Sequence, residues 1–317
     1  MRKQQNFAQP AVTTTYAGEF AGKYIAAALL SAKTLDNQYI TIMPNVKFKS
    51  VIQKIAVDSI VNDASCDFTT SGTVALTERV LEPKELQVNL ELCKQEFVDS
   101  WEALQLGYSA FDEIPKDFND FLISYVGGKV AQATEESIWR GANATNGQFG
   151  GIYNALSSSV VAGGTNAPIT SSVSGSITSA NVGTALDALV SSIPDTVYGK
   201  EDVMIYVPTN VVKAYQQALA GGAQGANGFN NQMNVGEKPL NFNGIEMAFC
   251  PGLASSAMVV AQKSNLFFGT GLLSDHNEVR VLDMANLDGS QNYRIIMRYT
   301  AGTQYGIGSD IAIHKNY

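Results

Sequence analysis

A chain of 317 residues is long enough to bury a large core and to divide into two lobes. Only 16% of its residues are charged, against about a quarter in ordinary soluble domains, which fits a surface partly covered by other protein or a neutral monomer rich in Ser, Thr, Asn and Gly. A net charge of −8 argues against a nucleic-acid reader, and Cys66, Cys93 and Cys250 are too far apart for a disulfide framework or a zinc site; they read as reduced, buried thiols.

Residues 1–16 are polar, with a Thr-rich end, and read as an extended arm. Phe20, Tyr24, Ala27 and Leu29 predict a short amphipathic helix, equally suited to docking on another chain or packing on its own. The apolar run Tyr24–Ala32 lies too far from Arg2 and Lys3, behind Glu19 and Lys23, to be a signal core. No apolar run approaches the ~20 residues a membrane helix needs. From Gln38 to Val80 short Ile- and Val-rich runs flank the turn signal Asn62-Asp63-Ala64-Ser65, predicting a long two-stranded excursion. An isolated hairpin is marginally stable in water, so it must lie on its own domain or on a neighbour. Glu82-Pro83-Lys84 makes a turn. Leu86, Val88, Leu90 and Leu92 then alternate with Gln87, Asn89, Glu91 and Cys93, the pattern of a half-buried strand.

The longest predicted element follows. Phe118, Phe121, Leu122 and Tyr125 recur at helical spacing, and Val126, Val130, Ala133 and Ile138 extend the stripe. Pro115 suits a helix start, and Asp112, Glu113 and Asp117 place acid at the positive end of the macrodipole. A helix from Pro115 to Arg140 spans about 39 Å at ~1.5 Å per residue. Gly127-Gly128 costs roughly 1 kcal/mol per glycine relative to alanine, which predicts a close backbone contact or a bend there. A glycine-rich turn, Gly141 to Gly151, leads to an apolar run at Ile152.

Ser157 to Ser179 is rich in Ser, Gly, Thr and Ala and reads as a loop or lobe boundary. Ser179 is placed to cap a helix carrying Val182, Leu186, Leu189 and Val190, which stops by Pro194. Val203–Val207 reads as a buried strand, and Pro208-Thr209 turns it into a helix with Val211, Val212, Tyr215 and Leu219 on one side. Strand–helix alternation marks an α/β lobe. Gly221 to Gly236 has the composition of a mobile loop. From Leu240 the pattern is mainly short strands, firmest at Val279–Asp283 and Arg294–Tyr299, with Tyr305–Ile313 closing the chain.

No pattern of reactive residues emerges. His276 and His314, the only histidines, sit in no metal-ligand pattern and read as surface or satisfied residues. Gly269-Thr-Gly271 and Gly306-Ile-Gly308 lack the rest of a dinucleotide fingerprint, and the Gly221–Gly228 loop lacks a phosphate-binding ending. Neither a GxSxG elbow nor an activated cysteine is present. Glu135 and Glu136 are adjacent on a helix and do not face each other, so a solvated face is the expectation. The chain is read as no enzyme, with no catalytic residue, cofactor or metal.

The order of parts carries more than any motif: arm, short helix, β excursion, alternating strand, long helix, glycine turn, α/β lobe, returning strands. In this order, with Trp139-Arg-Gly141, Asn146-Gly147-Gln-Phe149-Gly-Gly151-Ile152 after the helix and Phe267-Phe-Gly269 late in the chain, it resembles the major capsid proteins of tailed double-stranded DNA bacteriophages. The fold that resemblance implies is α+β, of Hong Kong 97 type, with an N-arm, an extended β-hairpin loop, a peripheral domain built on a long spine helix and an axial α/β domain. Leu81–Leu86 through Trp101 is more narrowly similar to capsid proteins of crAss-like and other Bacteroidetes-infecting phages.

The resemblance implies an N-arm at 1–37, an extended loop at 38–80, a peripheral domain at 81–165 with 285–317, and an axial domain at 166–284. It also implies self-assembly as hexamers and pentamers of an icosahedral shell in the virion, built in the host cytoplasm, with separate scaffolding, portal and decoration proteins. Packaged double-stranded DNA would be enclosed without sequence-specific contact, and no membrane is involved. An acidic chain suits that role, because a wall that gripped DNA would oppose packaging and ejection. Some members join Lys to Asn between subunits; Lys47, Lys49 and Lys54 lie in the matching excursion, without an assignable partner, and read as surface lysines. An encapsulin-type nanocompartment shell is the alternative function, with a secreted adhesin or tail structural protein behind it.

Overall fold

The computed structural model describes residues 32–46, 48–57, 63, 74–93, 116–164, 166–171, 176–219, 240–271, 280–284 and 289–315. Tyr206 and its neighbours show how the chain is layered. In Val203–Val207 (β6), Val203, Ile205 and Val207 enter one hydrophobic core while Tyr206 enters another. Met258–Gln262 (β9) repeats this, with Met258 and Val260 on one side and Val259 and Ala261 on the other. Successive strand side chains point to opposite faces, so a strand walled on both sides must be apolar at every position. That is why these strands read as continuous runs.

They belong to a six-stranded sheet in the order β5-β13-β9-β6-β8-β7, completed by Ile169–Ser171 (β5), Leu240–Phe242 (β7), Ile245–Phe249 (β8) and Ala312–His314 (β13). Val182–Ser191 (α4) and Thr209–Leu219 (α5) cover one face, burying Leu186, Leu189, Val211 and Tyr215 against Ile205, Met247 and Val260. The other face meets the core under the long helix Lys116–Arg140 (α2), where Ile138, Trp139, Phe149 and Leu156 pack with Tyr206, Val259 and Phe268.

The second sheet has five strands. Asn292–Tyr305 (β12) runs through it, pairing antiparallel with Lys84–Cys93 (β4) over residues 292–301, with Arg280–Asp283 (β11) at 293–296, and with Leu266–Thr270 (β10) at 301–305. Thr41–Met43 (β1) adds in parallel to β10. Ser50–Val57 (β2) and Val74–Leu81 (β3) form a separate two-stranded antiparallel ribbon, from Ser50 opposite Leu81 to Val57 opposite Val74. The remaining α-helices among the described residues are Lys33–Asp36 (α1) and Ile152–Ala162 (α3).

Several sequence expectations are altered. The segment read as a loop from Ser157 is helical through Ala162, because Ile152 and Leu156 bury one face of α3 against the core. The helix expected to be capped by Ser179 begins at Val182, and the Asn181 carboxamide oxygen accepts the Thr178 N–H one turn earlier instead. α2 runs unbroken through Gly127-Gly128, and a methyl group added at Gly127 would meet nothing within 4 Å, so no close contact explains that glycine. Pro115, Phe118, Phe121 and Leu122, and the loop at 221–236, lie outside the described side chains. The sheets also cut across the expected segments. Residues 266–270 and 280–283, expected in the axial segment, lie in the five-stranded sheet, while 312–314, expected with the peripheral segment, lies between β5 and β9 in the six-stranded one. A strand joins whichever sheet offers its unpaired backbone a partner, and sequence order does not dictate that.

Candidate assembly interface

Titratable groups come first, since they decide whether this is a reaction site. Among the described residues no three His, Cys, Asp or Glu side chains gather as a metal site, and no helix is long and apolar enough to cross a membrane. Cys93 is half-buried; Cys250 is fully buried, and burial pushes its thiol well above the ordinary range. Cys66 and His276 lie outside the described residues. His314 is in the interior rather than at the surface, and neither ring nitrogen has a hydrogen-bond partner. Burial lowers its pKa, opposed by the backbone of Ser171, which approaches without making a hydrogen bond to the ring.

Glu135 corrects the expectation of a solvated face. Its carboxylate is buried, accepting the Thr34 N–H at 3.0 Å and the Thr34 hydroxyl at 2.6 Å. Trp139 Nε1 donates to that same hydroxyl oxygen at 3.0 Å. Burial raises the Glu135 pKa, while hydrogen bonds from Thr34, Gly252 and Trp139 hold it back. The Tyr206 hydroxyl donates to the Tyr39 carbonyl at 2.7 Å, and the Lys33 ammonium lies 4.6 Å from the centre of the Phe249 ring. These contacts attach residues 33–39 to α2 and to the six-stranded sheet, while β1 ties 41–43 to the five-stranded one. Glu136, by contrast, is partly exposed and pairs with Arg140 one turn on. The Glu135 environment is a structural joint, and the Cys250 thiol beside it is buried, its pKa raised by burial and then by the Glu135 charge.

The turn after α2 is equally tied down. Gly151 N–H donates to the Gly141 carbonyl at 2.8 Å, and a side chain at Gly141 would strike the Phe149 carbonyl. Lys84 reaches across from β4 and donates to the carbonyls of Asn143, Thr145 and Gln148 at 3.1, 3.2 and 2.9 Å. A rigid corner therefore joins the long helix to the five-stranded sheet. Beside it a groove of about 400 Å³ runs between α2 and β4, with Leu90 and Tyr125 exposed along it. The alternating face of β4 is thus only partly covered by its own chain: Leu86 is buried, Val88 half-buried and Leu90 open.

The β2–β3 ribbon exposes still more. Register places Val51 opposite Val80 on its outer face, where they are 50% and 44% exposed, and Phe48 at its root is 83% exposed. Gln53 and Glu78, also opposite each other on that face, are joined at 3.1 Å. Of the excursion lysines, Lys49 pairs with Glu82 at 3.3 Å at the exposed root, and the Lys54 ammonium donates to Asn166 Oδ1 of its own chain at 3.3 Å. Lys47 lies outside the described residues. Sequence reading did not pair Lys54 with Asn166, because a separation of 112 residues carries no local signal.

No family model matches the sequence, and no curated protein does. Solved structures do match. The capsid of the native GTA particle superposes with a TM-score of 0.65 at 14% identity, over 92% of this chain and 92% of that one. A chain from Mycobacterium phage Cain gives 0.60 at 15% identity, over 96% and 97%. The capsid of Myoviridae phage XM1 gives 0.56 at 10% identity, over 92% and 94%. The likeness covers 92% or more of the chain in each case, and the chain has the Hong Kong 97-type fold of phage capsid proteins.

Proposed function

We propose that this chain is a major capsid protein that assembles with copies of itself into an icosahedral shell enclosing double-stranded DNA. The end-to-end likeness to capsid chains carries this reading, since it leaves almost no part of the fold for another task. The exposed ribbon agrees with it. A two-stranded ribbon is poorly stable alone, and its open apolar positions gain by burial against a neighbouring subunit. Low charge content fits a chain whose sides are covered by other copies. The chain acts as structure and catalyses no reaction, and its place is the virion.

In that reading α2 is the spine, the five-stranded sheet is the peripheral domain, the six-stranded sheet with α4 and α5 is the axial domain, and the ribbon is the extended loop. Each subunit then presents unlike surfaces that meet head to tail and close by rotation. Scaffolding, portal and decoration proteins are separate partners, and DNA is held without sequence-specific contact. Electron microscopy of purified protein, brought through a range of salt and crowding conditions, is the test. Closed shells are the expected outcome; a chain that stays monomeric under every condition overturns the proposal.

A further inference from the structure

A cleft of about 550 Å³ lies between the inner face of the β2–β3 ribbon and the junction of the two sheets. Phe267, Ile307 and Ile52 give it an apolar floor. Asn265 forms a fixed wall, its carboxamide bonded twice to Ile307, donating to the carbonyl at 2.8 Å and accepting the N–H at 2.7 Å. Gly306 completes that wall, where a side chain would press on Asn265 Oδ1. Two cations stand at the mouth. Arg79 places its guanidinium 3.9 Å from the centre of the Tyr305 ring, a cation–π contact. The Lys54 ammonium has the Asn166 carboxamide as its hydrogen-bond partner among the described residues.

Register makes Arg79 the opposite number of Ile52, and Lys54 that of Thr77, so the two cations are diagonal neighbours on one face. Such positions lie about 7–8 Å apart at their roots, a span over which two long side chains converge on one anion. Among the described residues neither has a carboxylate in ion-pair range. Glu78 and Gln53, opposite each other in register, line the cleft as well, and the Glu78 carboxylate accepts the Gln53 amide at 3.1 Å. Two positive charges with no ion pair among the described residues, above an apolar floor, make a site for a carboxylate attached to an apolar neighbour.

We infer that this cleft receives an Asp or Glu, flanked by an apolar residue, from a second copy of this chain, its carboxylate held between Lys54 and Arg79. Charge complementarity selects that occupant: 29 acidic against 21 basic residues make each copy an acidic surface. The inference rests on the shell reading above, which supplies the second copy at high local concentration. It adds a defined ionic clasp at the root of the ribbon to that reading.

The test uses the full chain, mixed from unlabelled and ¹⁵N-labelled protein, assembled and treated with a zero-length carbodiimide that condenses an amine with a carboxylate. Mass spectrometry is expected to find Lys54 joined to an Asp or Glu of a differently labelled copy. The paired substitution Lys54→Glu with Arg79→Glu is expected to raise the concentration needed for assembly by about tenfold or more, with an unchanged circular dichroism spectrum. Should reversal unfold the chain, Lys54→Gln with Arg79→Gln carries the same comparison. Shells that form normally with Lys54 joined only within its own chain, or with the paired variant assembling at the wild-type concentration, overturn the clasp and leave the shell reading standing. Wild-type protein that never associates overturns both.

Discussion

Glu135 illustrates how far a single residue departs from its sequence context. Next to Glu136 on a helix it reads as solvated, yet it accepts two hydrogen bonds from Thr34 in the interior. The difference comes from a residue 101 positions away, for which the local pattern has no term. Burial raises the carboxyl pKa above its ordinary 4.5, so the folded chain holds the proton more tightly than the unfolded one. Its contribution to stability is therefore full below the ordinary glutamate range and is lost as pH rises through the raised value. Melting temperature followed by circular dichroism from about pH 4 upward is expected to fall more steeply for the wild type than for the Glu135→Gln variant; parallel curves would remove Glu135 as the cause. Glu135→Ala, which strands the Thr34 donors, is expected to cost about 1–3 kcal/mol at any pH in that range.

At the scale of elements, the glycines of the long helix and its turn divide sharply. Gly141 and Gly151 sit where the chain folds back on itself, and a methyl group at either would meet backbone: the Phe149 carbonyl for Gly141, the Trp139 carbonyl for Gly151. Backbone cannot step aside as a flexible side chain can. Gly141→Ala or Gly151→Ala is expected to lower stability by about 1–3 kcal/mol, the range of overpacking, read as a drop in melting temperature. Gly127→Ala is expected to do the reverse. Nothing lies within 4 Å and the residue is helical, so the substitution gains about 0.5–1 kcal/mol in the isolated subunit. Equal losses at Gly127 and Gly141 would refute this division. Sequence pattern located both groups of glycines, since the turn's glycine density is visible, but the close backbone contacts lie at Gly141 and Gly151 and not at Gly127. Van der Waals room around a backbone is a tertiary quantity.

For the molecule as a whole, the ribbon is the separable part. β2 and β3 pair with each other and belong to neither larger sheet, whereas Asn45 and Val46 donate backbone hydrogen bonds to Gly271 and Thr270, and Leu81 is fully buried. A deletion limited to residues 50–79, bridged by a short Gly-Ser linker, therefore removes no strand of either larger sheet. It is expected to keep the wild-type circular dichroism spectrum and a cooperative melt while losing shell assembly in the electron microscope. Global unfolding of this variant would show that the ribbon supports its own subunit, and normal shells would show that it supports no contact between subunits.

The sequence by itself determined the elements whose cause is local. α2 and the turn after it, the strand at Leu86–Leu92, the Val203–Val207 strand with its following helix, and the strand at Arg294–Tyr299 all follow from periodicity and from glycine placement. The order of those elements was enough to point to the fold. Only the tertiary structure decided which strands share a sheet, why Ile152–Ala162 is helical despite its serines, where Glu135 and His314 are buried, and how Lys54 and Arg79 come to flank one cleft. Each of those depends on partners far away in the chain. Burial and pairing at such distances are set by the packed whole, which no short window of residues contains.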